Sequence, residues 1–136
     1  MIESVEEFLR LRASGDAGDF RRIKQEEAPL GVWYDIVENH PDMRFWVAFN
    51  RTVPAEVMHF LARDSDWRVR DKVASRKDTP GDILELLSGD LHEAVLSSVA
   101  GNPGTPVAVL RDLSRHPWSQ IQEKSLRQLQ GRHELG

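Results

Sequence analysis

Cysteine is absent from the 136 residues. That excludes disulfides, thiolate metal sites and cysteine-held iron–sulfur clusters. Long apolar runs are missing too, and no stretch approaches the roughly 20 residues needed to span a bilayer. The first residues, Met1-Ile2-Glu3-Ser4-Val5-Glu6-Glu7, are acidic and lack the basic-then-apolar layout of a signal peptide. A cytoplasmic location is therefore expected. A basic excess is likewise missing, since the formal net charge is −4. Residues 1–27 carry five basic and seven acidic side chains (−2), residues 28–102 eight and twelve (−4), and residues 103–136 five and three (+2). Nucleic-acid binding begins with a basic stripe, so DNA or RNA is disfavoured as the main partner. There is no Gly-x-Ser-x-Gly elbow and no phosphate-cradling glycine loop. His40, His59, His92, His116 and His133 show no zinc-ligand spacing. Neither catalysis, nor a metal, nor a cofactor is expected.

What is present is periodicity. Pro54, Pro80 and Pro106 lie 26 residues apart, as do Asp64 and Asp90, and Val69, Val95 and Ile121. A fixed period in this range marks a stacked repeat protein. Each unit opens with a proline, expected in the first helical turn where its missing N–H costs nothing. Thr79 and Thr105 precede two of these prolines and offer a capping hydroxyl. Apolar residues follow at helical spacing: Val57, Met58, Leu61; Ile83, Leu84, Leu87; Val109, Leu110, Leu113. They define one face of a first helix of about ten residues. An Asp-centred turn leads to a second helix carrying Val69, Val73, Ala74 or Val95, Val99, Ala100.

Residues 28–51 read as a diverged unit, with Pro29, Val32, Trp33 and Ile36 on its first helix and Met43, Val47, Ala48 and Asn50 on its second. Ahead of it, Ser4 to Glu7 has capping-box spacing before Val5, Phe8 and Leu9. Asp16 or Asp19 can cap a second helix with Phe20 and Ile23. These two helices do not fit the period and suit a terminal cap, which a stack needs to cover its end. The expected architecture is a single compact all-α domain of about ten short helices. It comprises a cap (1–27), four two-helix repeats (28–51, 52–77, 78–103, 104–130) and a frayed tail (131–136).

The stretches Asn50-Arg51-Thr52-Val53-Pro54, Leu61-Ala62-Arg63-Asp64 and Val69-Arg70…Val73-Ala74, with Asn102-Pro103-Gly104-Thr105-Pro106, resemble the bacterial leucine-rich repeat variant and related HEAT-like families. The resemblance covers residues 28–128. It implies a right-handed α-solenoid and a polar ladder between repeats involving Arg44, Asp64, Arg70 and Asp90. Leu96, His116 and Gln122 depart from that pattern and leave the ladder incomplete. The cluster domain of some relatives has no cysteines here to carry it. The resemblance also implies a binding scaffold, and an immunity or regulatory partner is one form of it.

Two surfaces stand out. Phe45, Trp46 and Phe49 align with Asp71, Lys72 and Ser75 and should face solvent in a regular unit. Either the N-terminal helices cover them, through Phe8, Leu9, Phe20 and Ile23, or they anchor a partner. The second-helix face sets Arg68, Asp71, Lys72 and Ser75 beside Ala94, Ser97, Ser98 and Gly101, then Gln120, Glu123, Lys124 and Arg127. Small residues between charged rows would form a shallow groove for a peptide or helix, although ordinary solvated surface has the same composition. Trp67 and Trp118 fall near the inter-helix turns, where they cap the core edge or bind. The reading is a non-enzymatic scaffold binding another protein through Arg44, Trp46, Arg68, Asp71, Lys72 and Arg76. The alternative is a nucleic-acid-binding HEAT-like protein of the alkylpurine glycosylase type.

Overall fold

A computed structural model describes residues 1–135, with side chains described through residue 132. It contains ten α-helices and no strand among the described residues. The contacts divide the chain into two compact units, Met1–Leu61 and Ala62–Gly136, where one domain was expected. The division falls inside the repeat read over 52–77.

The first unit holds α1 (Val5–Ala13), α2 (Ala17–Gln25), α3 (Leu30–Asn39), α4 (Arg44–Phe49) and α5 (Ala55–Leu61). Ser4 caps α1 as its spacing predicts, its Oγ accepting from the Glu7 N–H at 3.1 Å. The Glu7 carboxylate turns to Arg22 instead, at 3.1 Å. Asp16 caps α2 by accepting from the Gly18 and Asp19 N–H groups. The turn between them closes through Gly15 at φ 71, a left-handed conformation that glycine adopts without a Cβ clash. The amphipathic stripes meet in a core of Ile2, Phe8, Leu11, Ile23, Trp33, Ile36, Val47 and Leu61. Phe8 meets Trp33 edge-on at 5.8 Å, so Phe8 supports α3 rather than the aromatics of α4.

The second unit holds α6 (Trp67–Ser75), α7 (Gly81–Leu87), α8 (Glu93–Gly101), α9 (Val107–Leu113) and α10 (Ser119–Leu135). Helix α8 lies between α6 and α10, and α7 and α9 pack on the same row. The apolar residues predicted for the core are buried: Val69, Val73, Ile83, Leu84, Leu87, Val95, Val99, Leu110 and Ile121.

Three details differ from the sequence reading. Pro29, Pro80 and Pro106 stand at the N-cap, outside the helix. Their carbonyls, rather than their ring geometry, open it: Pro80 accepts from Ile83 and Leu84 at 3.1 Å. The first helices α5, α7 and α9 are accordingly seven residues long, not ten. Thr79 and Thr105 do not cap the helices after them. Each hydroxyl donates back to the second helix before it, Thr79 to the Val73 carbonyl at 2.6 Å and Thr105 to the Val99 carbonyl at 2.7 Å. Those carbonyls are among the four that a helix C-terminus leaves without an internal partner, and at buried positions satisfying them matters more than capping the next helix. Finally, the segment expected to fray from 131 onward continues α10 to Leu135. Arg132 holds it there by donating to the Pro103 carbonyl at 2.7 Å and to Gln128 at 2.7 Å. Gly136 lies outside the described residues.

Candidate functional site

A buried polar ladder runs along the ends of the second helices. In the first unit, Asn50 Nδ2 donates to the carbonyls of Ile23 (2.7 Å) and Glu26 (2.9 Å), while its Oδ1 accepts from the Thr52 N–H at 2.8 Å. In the second, Asn102 repeats the pattern on Ala74 (2.8 Å), Arg76 (2.7 Å) and the Gly104 N–H (2.8 Å). Gln128, 26 residues beyond Asn102, donates to the Ala100 carbonyl. One amide thus ties the frayed end of one helix to the loop of the next, using both donors and the acceptor. Sequence reasoning gave these residues no role. The signal was there, an amide at the same place in the period followed by a turn.

The Arg–Asp rung that the resemblance implies is present between Arg70 and Asp90, with Nε to Oδ2 at 2.7 Å and Nη2 to Oδ1 at 3.3 Å. Arg70 also donates to the Asp64 carbonyl at 2.8 Å. Burial opposes ionisation of Asp90, but the Arg70 guanidinium and the His92 N–H outweigh it and hold the carboxyl below its ordinary range. At the next position Leu96 replaces the arginine and is buried.

The six residues predicted to contact a partner fall into both units. In the first, Trp46 is half-buried and covered from within. The Arg12 guanidinium lies 3.9 Å over its ring, and Phe20 approaches it at 6.3 Å and Phe49 at 5.6 Å. The N-terminal helices therefore cover the α4 aromatics, but through Phe20 and Arg12. Arg12 was not foreseen, because a cation on a helix face reads as solvated surface until a ring is found beneath it. Arg44 points inward, Nε donating to the Val37 carbonyl at 2.6 Å and the guanidinium lying 5.8 Å from the Phe60 ring. Neither is the open anchor that was expected.

In the second unit, Arg76 is also a correction. It is 9% exposed, with Nε and Nη2 paired to Asp78 at 2.9 and 2.8 Å. The turn that follows α6 folds the long side chain back, so its charge is used within the fold. Arg68, Asp71 and Lys72 do lie on the face of α6 predicted for them. Arg68 is exposed and pairs with Asp66 at 3.2 Å. The Ser98 hydroxyl of α8 donates to Asp71, and Lys124 of α10 donates to Ser97 at 2.9 Å. A Cβ on Gly101 would stand 2.7 Å from Lys124 Cε, so the lysine stem lies directly across the glycine. Side chains of one row thus reach over the small residues of the next, and Ser75, Gln120, Glu123 and Arg127 stay exposed around them.

Along the turns, Trp67 stacks on His92 at 4.1 Å and 11°. Trp118 meets His116 edge-on at 4.8 Å. Both histidines also use Nδ1 as an acceptor, His92 from the Ala94 N–H and His116 from the Trp118 N–H. The tryptophans stay 37% and 41% exposed, so they shelter the turns without being buried. Among the described residues no group of three or more His, Asp or Glu is placed to hold a metal ion. Likewise no helix is long and apolar enough to cross a membrane.

Residues 67–92, from the start of α6 to the cap of α8, match the family model described as leucine rich repeat variant. The resemblance read from the sequence is thereby shown over that unit, which is a HEAT-like helical repeat. No curated protein and no solved structure gives a significant match to the chain.

Proposed function

We propose, starting from a chain that carries a leucine rich repeat variant unit, that it is a non-enzymatic module binding another protein in the cytoplasm. The surface is the α6–α8–α10 face of the second unit. One observation carries this reading: the low row of Ser97, Ser98 and Gly101 between the charged rows of Arg68, Asp71, Lys72 and Glu123, Lys124, Arg127. A partner helix or peptide laid along that row would meet small side chains at its centre and charges at both margins, the layout of a groove that reads an amphipathic segment. Lys124 and Asp71 already hydrogen-bond across the row, so a partner would exchange those bonds for its own. Neutralisation of a toxin by an immunity protein, or control of a regulatory partner, fits a binding face without chemistry. Fold alone does not choose between them.

The test compares wild type with Arg68→Glu/Lys72→Glu in cross-linking capture from native lysate, with circular dichroism to confirm equal helicity. A protein retained by wild type and lost by the folded variant supports the face. Retention of the same protein by both refutes it.

A further inference from the structure

Between α1 and α2 the first unit encloses a cavity of about 270 Å³ walled by Leu11, Ala17, Phe20 and Ile23, with Arg12 and Asp16 as its charged members. Its size is at the lower edge of the roughly 300–1,000 Å³ of small-molecule sites, which share this mix of apolar wall and few polar groups. Leu11 and Ile23 are fully buried and Phe20 is 45% exposed, so the cavity has a closed apolar floor and an open rim. The Gly15 turn at φ 71 places no side chain across that rim.

The polar groups are unequal. Asp16 Oδ1 is already engaged by the N–H groups of Gly18 and Asp19. Arg12 is held flat by its stacking on Trp46 at 3.9 Å, and its Nε is sealed from solvent with no hydrogen-bond partner. A buried donor without an acceptor costs about 1–3 kcal/mol, more when charged. An acceptor delivered to Arg12 would recover that cost, and a carboxylate would do so with a charge-assisted bond. The Asp16 carboxylate at the rim disfavours a second negative charge. We infer that this cavity is a binding site for a small monocarboxylate with an aliphatic or aromatic body, the body on Leu11, Phe20 and Ile23 and the carboxylate on Arg12.

The test uses hexanoate and phenylacetate as probes, with hexanol as the uncharged control, titrated into the full chain. Amide shifts of Gly15, Ala17 and Gly18 and the Trp46 indole resonance are followed by NMR. The expected result is saturable shifts at these positions for both acids, with hexanol at least about tenfold weaker. Arg12→Ala should weaken the acids about tenfold or more while leaving hexanol unchanged. Ala17→Leu, which fills the cavity without touching Arg12, should abolish all three and serves as the decisive variant should Arg12→Ala unfold. Shifts that fail to saturate, acids and hexanol binding equally, or full affinity in Ala17→Leu would each overturn the inference.

Discussion

Replacing Asn102 by alanine isolates the amide ladder. Asn102 is 3% exposed and makes three hydrogen bonds of 2.7–2.8 Å, two from Nδ2 to the Ala74 and Arg76 carbonyls and one to Oδ1 from the Gly104 N–H. A typical bond of this kind contributes about 0.5–1.5 kcal/mol net, and leaving its buried partner unpaired costs about 1–3 kcal/mol. The Gly104 N–H sits in an exposed loop and can turn to water. The carbonyls of Ala74 and Arg76 belong to buried residues and are less able to. Two such losses give a destabilisation of about 3 kcal/mol, a large share of the roughly 5–15 kcal/mol that holds a small domain together. Asn102→Asp should cost at least as much, because it keeps the acceptor, removes both donors and sets a charge against two carbonyls. The measurement is urea unfolding followed by circular dichroism and by tryptophan fluorescence. Coincidence of the two probes establishes whether the two units unfold together before any free energy is extracted. An exposed Ser75→Ala on the neighbouring helix is the control and should change little. A loss below about 0.5 kcal/mol for Asn102→Ala would mean that the helix ends are satisfied without the amide, and the ladder would be incidental.

Breaking the Arg70–Asp90 rung by Arg70→Ala should destabilise the second unit by about 3 kcal/mol, because Asp90, 8% exposed at its side chain, is left charged and unpaired. Arg70→Met/Asp90→Ala should recover much of that, and equal losses in single and double variants by urea titration would refute the pairing. Acid should destabilise the fold. Glu26 is held down to about 2 by its hydrogen bonds with Arg22 and the N-terminal ammonium, and Asp78 is lowered by Arg76. A carboxyl depressed in the folded state contributes stability above its unfolded pKa and loses it as pH falls through the folded value. The loss attributable to Glu26 therefore spans from about 4.5 down to about 2, read as a falling urea midpoint. A midpoint that rises over this range would reverse the sign. Gly15→Ala should cost about 1–2 kcal/mol from backbone strain at φ 71 alone, since the added Cβ meets nothing within 4 Å. An unchanged thermal midpoint would show that the turn relaxes freely.

Much of the helical content was legible from local chemistry. The spacing of Val69, Val73 and Ala74, or Ile83, Leu84 and Leu87, specifies a helix face whatever lies beside it, and Ser4 and Asp16 mark helix starts because their side chains reach only the next turn. The period of 26 residues placed the same residue types in succession, and the family match at residues 67–92 falls within that period. What eluded the sequence were relations between elements. Thr79 and Thr105 had two helices within reach, and only the packed structure shows that each hydroxyl serves the one before it. Arg44 and Arg76 read as surface charges because a long cationic side chain can reach solvent from almost any helical position. Tertiary structure turned them to the Val37 carbonyl and to Asp78. Trp46 read as an open anchor until Arg12 and Phe20 came over it from the N-terminal helices. Helix formation obeys distances of three and four residues, which a sequence displays. The partners of buried polar groups and the cover over an aromatic face come from 24 to 34 residues away here, and three-dimensional packing alone decides them.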